Sequence, residues 1–194
     1  ARILGNPGQT VIGRPISELD PPRPSTHYAR SKLAAETGLQ TLTARANAEH
    51  VIVRPALVHG PGVPGNLHRL MAVIARGLPL PFGLVRNRRS LVGVQNLADL
   101  LYACLISERA AGRVYYAVDD GSISTPDIVR ALAAGIGRPA RLFPVPRWVL
   151  SGGAIAFGHR AMYEQLCGSL EYDGTRVRTE LSFRPRLSLT AGLY

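Results

Sequence analysis

The run VIVRPALVHG, residues 51–60, decides the fold. It is apolar and β-branched almost throughout, with Pro55 as its one break. A strand with one wet face alternates polar and apolar residues, whereas a continuous apolar run belongs to a strand covered on both faces, as in a parallel sheet sandwiched by helices. The loop that follows, GPGVPG, gives the run an abrupt end of the kind that carries active-site groups.

Working outward, the pattern on both sides alternates helices with strands. Upstream, Pro15, Pro21, Pro22 and Pro24 make residues 1–26 an irregular approach, and from Ser25 or Thr26 the spacing of Leu33, Leu39 and Leu42 predicts a helix through YARSKLAAETGLQTLTARA. Downstream, NLHRLMAVIAR predicts a helix over about 66–76, stopped by Gly77 and Pro79. A short strand is expected at Ser90–Val94, then a helix from about Asn96 through Leu105, and a strand over 114–120. STPDIVRALAAGIG reads as a helix with Ser124 as cap, Asp127 at the third position and Gly135 or Gly137 as the stop. RLFPVP reads as a short strand, 147–168 as two helical stretches and 174–181 as a small helix, and the ending LSFRPRLSLTAGLY as a tail packed on the body. This order predicts an α/β fold. No glycine-rich fingerprint stands between a first strand and a first helix, and GNPGQTVIG (residues 5–13) has neither flank.

Composition narrows the classes. With 194 residues, 46% hydrophobic and 19% charged, the chain can bury a real core, and it falls outside the disordered class. No apolar run approaches the length of a membrane-spanning helix, and no signal peptide is expected from the N-terminal letters. Cys104 and Cys167 stand far apart in apolar surroundings, which fits a reducing, cytoplasmic setting. The formal charge is +10, yet all but one of the 23 basic residues are arginine. So one-sided an excess reads as genome composition, and no nucleic-acid partner is expected; arginine forks also suit an anionic small ligand. The five histidines show no metal-ligand spacing, and there is no G-x-S-x-G elbow.

The lone lysine, Lys32, stands four residues after Tyr28. On a helix the two share a face, and an ammonium beside a phenol favours the phenolate, which makes Tyr28 an acid/base candidate. The spacing by itself is common; its place at a helix start after a proline-rich loop gives it weight.

The string PPRPSTHYARSKLAAE resembles the active-site segment of the extended short-chain dehydrogenases/reductases, in the sugar-nucleotide epimerase and dehydratase branch. VIVRPALVHGPG, NLHRL, RRSLVGVQNLADL and DGTRVRTELSFRP resemble later segments of that branch in the same order, nearest to UDP-glucose or UDP-N-acetylglucosamine 4-epimerases, including bacterial members of surface-polysaccharide synthesis. The resemblance implies a partial Rossmann-like parallel sheet with flanking helices plus a small C-terminal substrate-binding lobe. Residues 1–120 would belong to the NAD-binding part, with a substrate-lobe excursion at about 60–90, and 121–194 mainly to the lobe. It implies Tyr28 as catalytic acid/base and Lys32 as the residue that holds the nicotinamide ribose, both touching NAD, with Pro55 nearby through its backbone.

Asn66 and Leu67 resemble the pair that meets the substrate's diphosphate and uracil, and Arg89 the arginine that grips the phosphates. Arg160 is a further diphosphate candidate, and Arg86 and Arg88 read as solvated. His59, where relatives carry tyrosine, is expected to be structural or pocket-lining, and Asp99 to fix helix geometry. Ile3-Leu4-Gly5 resembles the end of the S-S-x-x-V-Y-G segment, which would place the catalytic Ser or Thr just before Ala1 and the glycine-rich half upstream. The implied cofactor is NAD, the partner a UDP-sugar or related diphosphosugar, and the full-length state a homodimer. Ala1-Arg2 at the place of a dehydratase's Asp-Glu disfavours dehydration; a sugar-nucleotide reductase and a non-catalytic Rossmann-like binding protein remain the alternatives.

Overall fold

The computed structural model describes residues 14–62 and 66–191. Ala1, Arg2, the Ile3-Leu4-Gly5 segment and most of the 1–26 approach lie outside the described residues. The chain alternates helices and parallel strands: α1 (His27–Ala46), β1 (Val51–Pro55), β2 (Leu57–His59), α2 (Asn66–Ala75), β3 (Leu91–Gly93), α3 (Val94–Ile106), β4 (Arg113–Ala117), α4 (Thr125–Gly135), α5 (Arg147–Ala156), α6 (Arg160–Cys167) and α7 (Thr175–Leu181). This is the expected mixed α/β architecture, with parallel pairs flanked by helices and an additional helical lobe.

The decisive run 51–60 forms two strands rather than one. β1 pairs in parallel with β4, from Val51 opposite Arg113 to Pro55 opposite Ala117. Pro55 has no N–H to carry the ladder on. Ala56 makes a last bond to the Ala117 carbonyl (3.0 Å), and the chain then changes partner, so that Leu57, Val58 and His59 pair with Leu91, Val92 and Gly93 of β3. The expected strand over 114–120 likewise ends at Ala117, because Asp119 turns its N–H to the Leu91 carbonyl at 2.8 Å.

RLFPVP is corrected from a strand to a single bridge between Leu142 and Leu80, with Phe143 donating to Leu80 O (3.0 Å). Prolines at 79, 81, 144 and 146 remove the donors that would extend it. Helix ends follow their letters. Thr26 caps α1 by accepting from Ala29 N (3.1 Å), Ser124 caps α4, and Gly137 takes the positive φ of 64° that turns the chain after α4.

Two apolar cores result. One gathers Ala56, Val92, Leu100, Tyr115, Tyr116 and Val177. The other gathers Leu70, Ile74, Phe82, Leu91, Val129 and Leu132. Neighbouring side chains on a strand point to opposite faces, so Leu91 and Val92 of β3 each serve a different core.

A buried polar knot crosses the seam. Asp119 accepts from Gly93 N at Oδ2 (2.9 Å) and from Asn96 Nδ2 at Oδ1 (2.8 Å), and His59 Nε2 lies 3.4 Å from Oδ2. Asn96 also accepts the N–H groups of Arg186 and Leu187 (3.1 Å each) and donates to Leu187 O (3.0 Å), so one amide pins the C-terminal tail. Asp99, expected to fix this helix, instead makes a 3.4 Å ion pair with Arg186 on the surface.

Removing the Asn96 amide strands one carboxylate oxygen and three main-chain groups. Asn96→Ala is therefore expected to cost roughly 3 kcal/mol in urea unfolding, against about 0.5 kcal/mol or less for Asp99→Ala. Equal losses for the two variants would show that the tail is not held as described.

Candidate active site

Tyr28 and Lys32 occupy the first turns of α1, with Lys32 Nζ 5.5 Å from the centre of the Tyr28 ring. The phenol is 58% exposed, and the lysine is exposed as well. Among the described residues, neither the Tyr28 hydroxyl nor Lys32 has a hydrogen-bond or ion-pair partner that would give it a structural task. Ala29, between them in sequence, is the buried contact that seats this end of the helix.

The helix is placed by two polar ties. The Arg54 guanidinium of β1 meets the Glu36 carboxylate at 2.7 Å, with both side chains largely buried. Near the other end, Thr43 Oγ1 lies 2.8 Å from His50 Nδ1, in the segment leading into β1. Glu36 thus sits by the end of the strand and Thr43 by its beginning, so α1 runs antiparallel to β1. Tyr28, eight residues before Glu36, stands about 12 Å further along the helix and beyond the carboxyl end of the strand. Ligands of open α/β sheets bind outside the carboxyl ends of the strands. Arg54 is itself backed by Tyr116, whose hydroxyl is 3.4 Å from Nη1 and whose ring stacks on Tyr172 at 4.7 Å. Burial pushes the Tyr116 phenol far up, which suits it to packing rather than proton transfer.

Pro55 lies at the end of β1 next to Arg54, on the same edge of the sheet that α1 overhangs. Asn66 is the first residue of α2, and its side chain is outside the description. Leu67 and Arg89 come together: with Thr125, Ile128, Gln165 and Leu166 they line one narrow cleft. Arg89 is buried, and its Nη1 donates to the carbonyls of Gln165 (2.6 Å) and Gly168 (3.0 Å) at the end of α6. A cation is well placed against the carbonyl end of a helix. Asn87 and Thr125 share this work; Asn87 donates to the Leu166 and Gly168 carbonyls (3.0 and 3.1 Å), and Thr125 Oγ1 donates to Leu166 O.

Arg160 is not brought to this cleft. It is exposed on α6 and pairs with Glu164 at 2.9 Å, while Arg88 is exposed and pairs with Glu171. His59 is buried, with Nε2 towards Asp119 and a buried Nδ1 that has no partner among the described residues. Among the described residues no group of three His, Cys, Asp or Glu side chains gathers for a metal. Sequence reasoning missed Asn87, Asn96 and Asp119. The hint for the last lay in an acid directly after an apolar run, where burial demands partners.

Comparison with known proteins follows the same lines. The profile of the NAD dependent epimerase/dehydratase family matches residues 3–117. A UDP-glucose 4-epimerase of Vibrio cholerae is 36% identical over 94% of this chain, which spans 56% of that protein. An N-acetyl-alpha-D-glucosaminyl-diphospho-ditrans,octacis-undecaprenol 4-epimerase of Escherichia coli O157:H7 is 25% identical over 91% of the chain and 57% of its own length. The chain thus spans somewhat over half the length of the curated relatives it matches. In fold it is similar to the UDP-glucuronic acid 4-epimerase of Bacillus cereus, with a TM-score of 0.74, 21% identity, and coverage of 100% of this chain and 56% of that one. With its family profile matched over more than half its residues and a relative above 30% identity along nearly all of it, this chain belongs to the NAD dependent epimerase/dehydratase family.

Proposed function

We propose that this chain is the later part of an NAD-dependent sugar-nucleotide 4-epimerase that acts on a UDP-sugar of the glucose or N-acetylglucosamine type. The observation that carries the reading is the Tyr28–Lys32 pair, without other partners among the described residues and facing solvent beyond the carboxyl end of β1, in a chain of this family. The fit to a nicotinamide cofactor rests on the same point: a phenol and an ammonium share one helix face at the edge where α/β sheets take ligands. NAD, when bound, supplies the hydride acceptor and donor that inversion at a carbinol carbon requires.

Tyr28 takes the proton from the sugar's 4-hydroxyl as the C4 carbonyl forms, and returns it when the carbonyl is reduced on the other face. Lys32 keeps positive charge on the same helix face, 5.5 Å from the centre of the phenol ring, and reaches the cofactor's ribose. Pro55 contributes the backbone edge beside the nicotinamide. Leu67, with Asn66, and Arg89 form the diphosphate side; for Arg89 the support is its place beside Leu67 in one cleft. Arg160 has weaker support, since it lies on another surface. The substrate lobe is the part built on the second core. Leu39 and Leu42 lie exposed on α1, the helix through which a full-length homodimer is expected to form.

In the full-length protein, Tyr28→Phe is expected to lower the kcat of UDP-glucose/UDP-galactose interconversion by about 10²- to 10⁴-fold while KM changes little. A Tyr28→Phe enzyme of undiminished kcat would remove the acid/base assignment. Arg89→Lys keeps the charge and loses the planar fork, and a several-fold rise in KM at nearly constant kcat is the expected result. An unchanged KM for the UDP-sugar would leave Arg89 with only its carbonyl-holding task.

A further inference from the structure

Tyr28 and Lys32 lie between two carboxylates that are tied to one residue of the sheet. Behind the pair, Glu36 takes the Arg54 fork, and Arg54 Nη1 lies 3.4 Å from the Tyr116 hydroxyl. Ahead of it, Glu18 reaches Tyr116 from another side: its Oε1 accepts the Tyr116 main-chain N–H at 2.9 Å. Ala117 O takes the Ala56 N–H on the β1 side, so the main-chain groups of its neighbour Tyr116 face the other edge of β4. An N–H left on that edge without an acceptor would be costly, and the half-buried Glu18 supplies one.

Glu18 stands on a turn that is closed from within. Asp20 accepts Ser17 N at 2.7 Å, and the Arg14 fork meets both of its oxygens (2.7 and 3.0 Å). Ile16 is buried in the core with Tyr172; its N–H donates to Glu171 O (2.9 Å), and its carbonyl accepts from Asp173 N (2.8 Å). Residues 14–20 are thus fastened to the body, and the Glu18 carboxylate joins them to β4. From Asp20 to the Thr26 cap runs PPRPS, in which three of five residues are prolines with a fixed φ. Such a link passes a displacement on instead of absorbing it. Thr26 in turn accepts from Ala29 N (3.1 Å), and Ala29 is the one buried residue of α1.

We propose that Glu18 is a positioning residue for Tyr28, completing with Glu36 a clamp that closes on Tyr116 from both sides of the pair, a role that rests on the acid/base reading of Tyr28. Glu36 fixes the helix two turns beyond Tyr28, and Glu18 fixes the stiff approach that leads into its first turn. What this place needs from Glu18 is an acceptor, not a charge. Burial pushes its carboxyl up, against the pull of the Tyr116 N–H and of Arg176 on α7, while Asp173 adds to the rise. A neutral amide oxygen at the same position serves the N–H equally well.

In the full-length protein, Glu18→Ala is expected to lower kcat for UDP-glucose/UDP-galactose interconversion about tenfold, with KM within about twofold of the parent value. Amide hydrogen exchange at Ala29 and Arg30, whose N–H groups bond to Thr26, should quicken by about tenfold while the β1 amides keep their rates. Glu18→Gln should bring kcat and exchange back to within about twofold of the parent. The double variant Pro21→Gly with Pro22→Gly frees the link without touching Glu18, and it should quicken the same two amides even where Glu18→Ala does not fold. Unchanged exchange at Ala29 and Arg30 in the alanine and glycine variants overturns the proposal. So does a glutamine variant as impaired as the alanine one, or faster exchange with kcat untouched. Tyr28→Phe keeps the two ideas apart: full kcat in that variant would remove the acid/base reading, and the clamp would then stand or fall on the exchange rates alone.

Discussion

Everything in this chain hangs on one carboxylate. Asp119 has left β4 and is sealed from water, a position that a charged oxygen tolerates only with several donors. It finds them in the Gly93 amide and the Asn96 side chain, with the His59 imidazole alongside. Each donor comes from a different element, so satisfying the acid fixes the end of β3, the start of α3 and the end of β2 in one step. Asn96 passes the constraint to the tail through three main-chain bonds. A hydrophobic residue at 119 would fill the space, but it would impose no such geometry.

The position of the Tyr28–Lys32 pair depends on a second buried ion pair, Glu36 with Arg54. α1 buries only Ala29 and would otherwise have little to hold it in register. Arg54 is suited to this because its fork meets the carboxylate through two nitrogens while its face lies over Tyr116. The alignment of an exposed phenol and ammonium thus rests on contacts two turns away.

Much of this was legible in the letters. VIVRPALVHG announced a doubly covered strand, Tyr28 and Lys32 announced a shared helix face, and Thr26, Ser124 and Gly137 announced helix ends, since each is a local pattern with a local cause. The exchange of partners at Ala56 was not legible. Pro55 shows that the ladder must stop, but only the fold shows that β3 is there to take over. The strand expected of RLFPVP shrank to one bridge because Pro144 and Pro146 within it, and Pro79 and Pro81 in the segment it meets, have no N–H to extend a ladder. The family resemblance gave Arg89 as a phosphate ligand, and the structure shows the same guanidinium engaged with the carbonyl end of α6. Asn96 and Asp119 are 23 residues apart, and nothing in the spacing pairs them. Long-range polar satisfaction is what a sequence hides best.

β3 is only three residues long, yet Leu91 and Val92 are among the most deeply buried side chains and belong to different cores. A strand shared in this way leaves neither half an independent existence. Loss of packing on one side exposes a backbone whose other face is still engaged, and the bonds from β2 and from Asp119 give way together. Two apolar clusters that could pass for separate subdomains are thereby tied through one strand, and they are expected to melt in a single transition rather than in sequence.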